Sequence, residues 1–155
     1  MHIYRLFEKN PFHSPLGFNA GGGRWNHSGT PLIYASNTIS LPFLELYSIK
    51  GPVVATSSWI LATLELSKEI PILQQDDLPP DWNLRPHTST TKDFGTVWAN
   101  SKDMLCIKVP SARIPLSAYP SEFNLLINPL HPDFFHAVKI ISEEEVSFAI
   151  NEVKK

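Results

Sequence analysis

Apolar positions along the chain fall in short runs broken by Pro, Gly and Asn. Ile3 to Phe7 reads as a first strand and Pro31 to Ala35 as a second. Between them, Asn10 to Gly29 is rich in Gly, Pro, Asn and Ser and reads as loop. Ser36, Asn37 and Thr38 offer helix N-caps ahead of an apolar segment that ends near Ile49. Proline is tolerated in a first turn but not in a helix interior, so Pro42 puts the helix start near Ser40. Pro52 to Leu66 is expected to hold one or two strands, with strand-like alternation over Thr63 to Leu66. Ile72 to Trp82 reads as mixed, and the Asp76-Asp77 and Pro79-Pro80 pairs point to loop. Thr91 to Asn100 predicts a short helix carrying Trp98, and Met104 to Val109 a buried strand ended by Pro110. Phe123 to Ile127 and Ala137 to Ile141 are further strand candidates. Many short strands with few helices give an α+β fold. No internal repeat or long linker interrupts the pattern, which predicts one domain over residues 1–155.

Composition adds little to that picture. A hydrophobic fraction of 43% over 155 residues is enough to bury a core, and the 14 prolines are spread along the chain as loop punctuation. Charge bears more directly on function. The formal net charge is −2 and the basic residues are scattered singly. A nucleic-acid binder presents a basic face that neutralises phosphates, so no direct nucleic-acid binding is expected. A small anionic ligand, needing one or two well-placed cations, is compatible. Cys106 is the lone cysteine, so no internal disulfide forms, and within Met104 to Val109 it reads as a small buried hydrophobe. The N-terminal residues lack a signal-peptide pattern and no apolar run approaches the ~20 residues of a membrane span. A cytoplasmic protein without membrane contact is the expectation. His131 and His136 lack partners at ligand spacing, and no metal site is predicted.

Three clusters carry candidate chemistry. In Gly21-Gly22-Gly23-Arg24-Trp25-Asn26, the glycines let backbone approach a ligand closely, and Arg24 adds a planar, permanently charged donor suited to phosphate. A flexible turn with a surface arginine is the competing reading; neither a P-loop nor a Rossmann fingerprint is present. Glu45 lies in the nearly continuous apolar stretch Leu41 to Tyr47, either at a solvated helix face or held in a site by partners. Ser111, in Val109-Pro110-Ser111-Ala112-Arg113, follows a strand end without a nucleophile elbow, which leaves a hydrogen-bonding role or a plain loop serine. Asn128-Pro129 and His131-Pro132-Asp133 carry turn chemistry.

Together these pieces resemble the RES domain family, named for its arginine, glutamate and serine. The resemblance is carried by Ile3-Tyr4-Arg5-Leu6, Gly22 to Asn26, Leu32 to Ser36, Leu44-Glu45, Val109-Pro110-Ser111 and Asn124 to Asp133. It implies a fold related to ADP-ribosyltransferases, with an NAD⁺ cleft in a small α+β domain. It also implies a toxin that depletes NAD⁺ by hydrolysis or phosphorolysis, with inorganic phosphate as co-substrate in the second case and no cofactor beyond NAD⁺ as substrate. One branch of the family ADP-ribosylates a protein instead, and that is the alternative activity; a non-catalytic binding module is a third reading. The family's partner is an antitoxin with an Xre-type helix-turn-helix domain, and homodimers are compatible with the family. Its arginine falls on Arg24, its tyrosine on Tyr34, its glutamate on Glu45 and its serine on Ser111; Arg5 and Asn124 match further motif positions. Arg24 and Arg5 would hold the pyrophosphate, Tyr34 would pack on the nicotinamide ring or its ribose, and Ser111 would bond the ribose or orient Glu45. Two positions depart from the pattern. Pro42 stands where an alanine-rich helix leads into the glutamate, and is expected to shift Glu45 slightly. Thr96 stands where an aspartate follows the glycine, and is expected to lie outside the chemistry.

Overall fold

The computed structural model describes residues 1–18 and 21–151. In chain order its strands are β1 (His2–Glu8), β2 (Ile33–Ser36), β3 (Trp59–Leu66), β4 (Cys106–Val109), β5 (Asn124–Ile127) and β6 (Val138–Val146). The helices are α1 (Ser40–Lys50), α2 (Ser89–Ser101) and the short α3 (Phe134–Ala137). All six strands join one antiparallel sheet in the order β4-β5-β2-β1-β3-β6. The expected α+β class holds.

The sheet is built from two halves. β1 registers with β3 along seven pairs, from His2–Glu65 to Glu8–Trp59, and β3 with β6 along eight. On the other side, β5 registers with β2 and with β4 along four pairs each. The halves meet at one registered pair, Tyr4–Ser36. Past that pair the ladder stops, and Arg5, Leu6 and Phe7 of β1 and Tyr34 and Ala35 of β2 line the same cleft.

Side-chain alternation distributes the core over both faces. Ile3, Ile33, Leu64, Leu125 and Ile127 pack with Phe134 and Val138, while Leu126 joins Trp25, Trp82, Trp98, Ile107 and Val109. Successive β5 residues therefore bury themselves on opposite faces, which is why that strand reads as an unbroken apolar run. The β4 edge is covered by backbone bonds from Leu73 N to Lys108 O (3.1 Å) and from Lys108 N to Pro71 O (2.9 Å). The β6 edge carries exposed Glu143, Glu144 and Glu145, charges that discourage pairing with another sheet.

Helix α2 fixes the glycine-rich loop. It is capped at its start by Thr88, whose hydroxyl accepts from Thr90 N at 3.4 Å, and at its end by Lys102 in the left-handed region at φ 55°. Mid-helix Gly95 runs against helix propensity, and its reason is close approach: a Cβ there would lie 1.7 Å from the Trp25 carbonyl oxygen. Trp25, 2% exposed, sets its ring edge-on to Phe94 at 5.9 Å.

The structure corrects the helix cap and the last strand, and settles the count of strands in between. The residue before α1 is Ile39 in helical conformation without a side-chain cap; Asn37 instead bonds Ser121 O and Phe123 N, and Thr38 donates to Glu122. These polar side chains tie the helix entry to the segment before β5 rather than to the helix. Gly51 to Thr56 is a 3-10 turn, so Pro52 to Leu66 contributes one strand, β3. α3 precedes the last strand. That strand runs on to Val146, because an edge strand exposed along most of its length needs backbone partners but no apolar alternation. Among the described residues, no helix is long and apolar enough to cross a membrane, and no cluster of three or more His, Cys, Asp or Glu could hold a metal ion.

Candidate active site

Where the two half-sheets part, a cleft of about 720 Å³ opens, and Arg5, Arg24, Tyr34, Glu45 and Asn124 line it. Ser111 is 2% exposed and stands behind the carboxylate of Glu45. The six residues given site roles from the sequence, Arg5, Arg24, Tyr34, Glu45, Ser111 and Asn124, thus come to one place.

Glu45 is aimed by its helix. Leu41 and Pro42 bury the first turn of α1, and a residue four positions on from Leu41 shares its face. The helix continues through Pro42, which itself lines the cleft. Glu45 Oε1 accepts from Ser111 Oγ at 2.5 Å and from Asn124 Nδ2 at 2.8 Å. Asn124 is oriented in turn by Ser36, its registered partner across the ladder, whose hydroxyl donates to Asn124 Oδ1 at 2.7 Å. Ser111 Oγ also accepts from Arg113 N at 3.0 Å, which closes the turn after β4. On the other oxygen, Arg113 Nε lies 3.5 Å from Oε2. That is an ion-pair distance without hydrogen-bond geometry, and the buried Nε has no hydrogen-bond acceptor. One oxygen of Glu45 is therefore saturated by neutral donors and the other faces a guanidinium, with the carboxylate side chain still 24% exposed to the cleft.

The glycine-rich loop forms the opposite wall. Tyr34 Oη accepts from Trp25 N at 3.1 Å and donates to Asn26 Oδ1 at 2.5 Å. Asn26, 1% exposed, holds the carbonyls of Gly21 and Thr30. A Cβ at Gly23 would lie 2.7 Å from Tyr34 Oη, so a larger residue there displaces the phenol. Burial pushes the Tyr34 phenol above its ordinary range, so it stays a neutral donor. Arg24 Nη1 donates to the carbonyls of Trp82 and Leu84, both at 2.8 Å, and so fastens the 82–84 loop over the cleft. Its pKa is lowered, first by burial and then by Arg113, with Glu45 opposing and Arg85 adding to the depression. Arg85 and Arg113 thus lie near enough to Arg24 to act on it, and all three line the cleft. His87 joins them, its pKa lowered by burial and then by Arg24, Lys92 and Arg113. Such a concentration of positive charge suits a polyanion such as a diphosphate.

Arg5 serves the other wall. Its Nη1 donates to Pro15 O at 2.7 Å and more weakly to Ser14 O, and its cation lies 5.5 Å from the Phe7 ring centre. Burial alone lowers it to about 10, so it remains charged at neutral pH without coupling to the other arginines. The Asn128 to Asp133 stretch lies away from the cleft: Asn128 Nδ2 holds Ala99 O at 2.8 Å and Asp133 N bonds His131 Nδ1 at 3.1 Å, which fastens the end of α2 and the start of α3. Thr96, likewise outside the cleft, accepts from His27 N at 2.9 Å, while His27 pairs with Asp93. Sequence reading missed Ser36, Arg85, His87 and Arg113. Arg113 had a signal, a cation two residues after Ser111; the Arg85-Pro86-His87 run gains its place only through the Arg24 clasp on the preceding loop.

The α+β domain thus sets a clamped glutamate and a group of arginines in one cleft where its sheet parts. Residues 2–150 match the RES domain, and the chain belongs to the RES domain family. It is similar to "Toxin Res" of Yersinia enterocolitica, at 34% identity over 97% of each chain. It is also similar to the "Prs ADP-ribosylating toxin" of Sphingobium sp., at 32% identity over 77% of this chain and 74% of that one. Among solved structures, the M. tuberculosis MbcT–MbcA toxin–antitoxin complex contains a chain that shares the fold, with a TM-score of 0.63 and 16% identity, covering 94% of this chain and 84% of that one.

Proposed function

We propose that this protein is the toxin of a toxin–antitoxin pair and consumes NAD⁺ by cutting the bond between nicotinamide and ribose. The observation that carries the reading is Glu45, clamped by Ser111 and Asn124 in a cleft that Arg24, Arg85 and Arg113 also line. The diphosphate of NAD⁺ lies against the arginines, and the nicotinamide ribose beside Glu45. As the C1′–N bond breaks, its electron pair leaves with nicotinamide, which becomes neutral and needs no general acid. Positive charge builds on the ribose as an oxocarbenium-like species. A carboxylate already in place stabilises that charge without reorganisation. Water then forms the new C1′–O bond and releases a proton, giving ADP-ribose; inorganic phosphate in its place gives the 1″-phosphate. Ser111 is a positioning residue, because it touches Glu45 and is buried from the cleft. The partner we propose is an Xre-type helix-turn-helix antitoxin.

The purified protein is incubated with NAD⁺, with and without inorganic phosphate and with and without a cell lysate, and nicotinamide and ribosyl products are measured. Nicotinamide release in buffer is the expected result, and the product made with phosphate distinguishes hydrolysis from phosphorolysis. The name of the Sphingobium relative favours a second reading, transfer of ADP-ribose to a protein. Release that requires lysate, with label on one protein band, would establish that second reading. No release under any condition overturns both.

A further inference from the structure

Alongside the cleft lies a second cavity of about 360 Å³, and Arg85, Ala112 and Arg113 line both. The two spaces are neighbours with an arginine pair at their boundary. The loop that walls the second cavity is the one Arg24 clasps through the Trp82 and Leu84 carbonyls. Beyond the arginines the chemistry changes. Trp82, Ile114 and Leu116 give apolar walls, and Asn83 contributes an uncharged amide with both donor and acceptor atoms; among the described residues no carboxylate lines this space. A cavity with aromatic and aliphatic walls, one amide and cations at its mouth matches a planar heteroaromatic base attached to phosphate. Stacking surfaces hold the base, an asparagine amide is complementary to an adenine edge, and guanidinium groups hold the phosphate. The main cleft also has aromatic and aliphatic lining from Phe7, Phe18 and Leu46, with the Arg5 cation 5.5 Å from the Phe7 ring centre. Glu45 stands beside the arginine boundary, its carboxylate oxygen 3.5 Å from Arg113 Nε.

We propose that the side cavity receives the adenosine half of the dinucleotide, so that the diphosphate crosses the Arg85–Arg113 boundary and the nicotinamide ring points toward Phe7 and Phe18. The inference rests on the NAD⁺ reading above and adds the direction in which the substrate lies. Adenosine binding anchors the molecule at a distance from the bond that breaks. A nicotinamide nucleotide that lacks adenosine loses that anchor and is discriminated against.

The test uses calorimetric binding of NAD⁺, ADP and nicotinamide mononucleotide to the full chain, unaltered and carrying Ile114→Trp, which fills the cavity, or Asn83→Ala, an exposed position on its rim. Thermal unfolding checks that each variant is folded, and Asn83→Ala carries the test if Ile114→Trp is not. Ile114→Trp is expected to weaken ADP and NAD⁺ about tenfold or more, the loss of one stacked base, and to leave the mononucleotide within about threefold. Asn83→Ala is expected to weaken ADP and NAD⁺ several-fold and to narrow the preference for NAD⁺ over its hypoxanthine analogue. Equal losses for all three ligands, or none for any, overturn the placement while nicotinamide release by the unaltered protein leaves the NAD⁺ reading standing. Absence of NAD⁺ binding to the unaltered protein overturns both.

Discussion

Strand β1 has two edges that behave differently. Against β3 it is laddered along its whole length, seven registered pairs, while against β2 it holds one, Tyr4–Ser36. The laddered edge belongs to a half of the sheet whose polar backbone groups are satisfied by other backbone and whose inward side chains, Ile3 and Leu64 among them, are fully buried. At the seam the backbone gives up that pairing, and polar side chains on the parted strands bond the flanking loops and helix instead. Arg5 grips the Pro15 carbonyl, Tyr34 grips Trp25 N and Asn26, and Ser36 starts the relay through Asn124 to Glu45. Buried polar groups need partners, and the ones recruited here are the groups a ligand can use. Cohesion and chemistry are therefore separated along one strand, and substitutions should sort by edge.

The largest expected effect lies in the laddered half. Leu64→Ala empties a fully buried position and should cost roughly 2–5 kcal/mol of stability, read as a lower urea midpoint, with nicotinamide release per folded molecule unchanged. A loss of rate per folded molecule would mean that the halves are not separable. Next is the converse at the seam. Glu45→Gln keeps size and the Oε1 acceptor but removes the charge, and should slow release about 10²–10³-fold while NAD⁺ affinity and melting temperature hold. A rate within about threefold of the unaltered protein would remove Glu45 from the chemistry, since the expected loss is far larger.

Arg24→Ala tests the join between the wall and the 82–84 loop. It removes two carbonyl contacts and a cation, and NAD⁺ binding should weaken by about 1.5–3 kcal/mol with little loss of fold. Lysine should not restore it, because one ammonium does not reproduce the planar fork. Unfolding of Arg24→Ala at room temperature would make the arginine structural. The smallest effect is on His87, whose pKa is held below the ordinary 6.5 by burial first and Arg24 second. Its neutral form is favoured, so protonation is postponed to lower pH. In the Arg24→Ala variant the imidazole should titrate at higher pH, still below the ordinary value because burial persists; an NMR titration of its ring proton reads the shift, and an unmoved midpoint would separate His87 from the arginine cluster.

What could be read in advance followed from local pattern. Pro42 fixed the start of α1, Pro110 the end of β4, and the apolar run Leu125 to Ile127 marked a strand buried on both faces. Glu45 stood out because a carboxylate in an apolar helix needs a reason. Illegible features depend on distant partners. Asn37 and Thr38 have the chemistry of helix caps, yet Ser121, Phe123 and Glu122 lie within reach and take their side chains. Val53 to Ala55 looks like strand but coils into a 3-10 turn, and Glu143 to Glu145 looks like loop but is an edge strand. Arg85 and His87 are ordinary loop residues until Arg24 pulls their loop onto the cleft.

Gly95 has a consequence best stated genetically. Every missense change at its codon adds a Cβ, and that atom would lie 1.7 Å from the carbonyl oxygen of Trp25, on backbone that cannot swing aside as a side chain would. The codon therefore has no silent amino-acid neighbours, although the residue lies outside the cleft. In a selection for cells that survive induced expression, substitutions at Gly95 should be recovered alongside those at Glu45. The two classes would part on a gel: Glu45 survivors with full-length protein in the soluble fraction, Gly95 survivors with little.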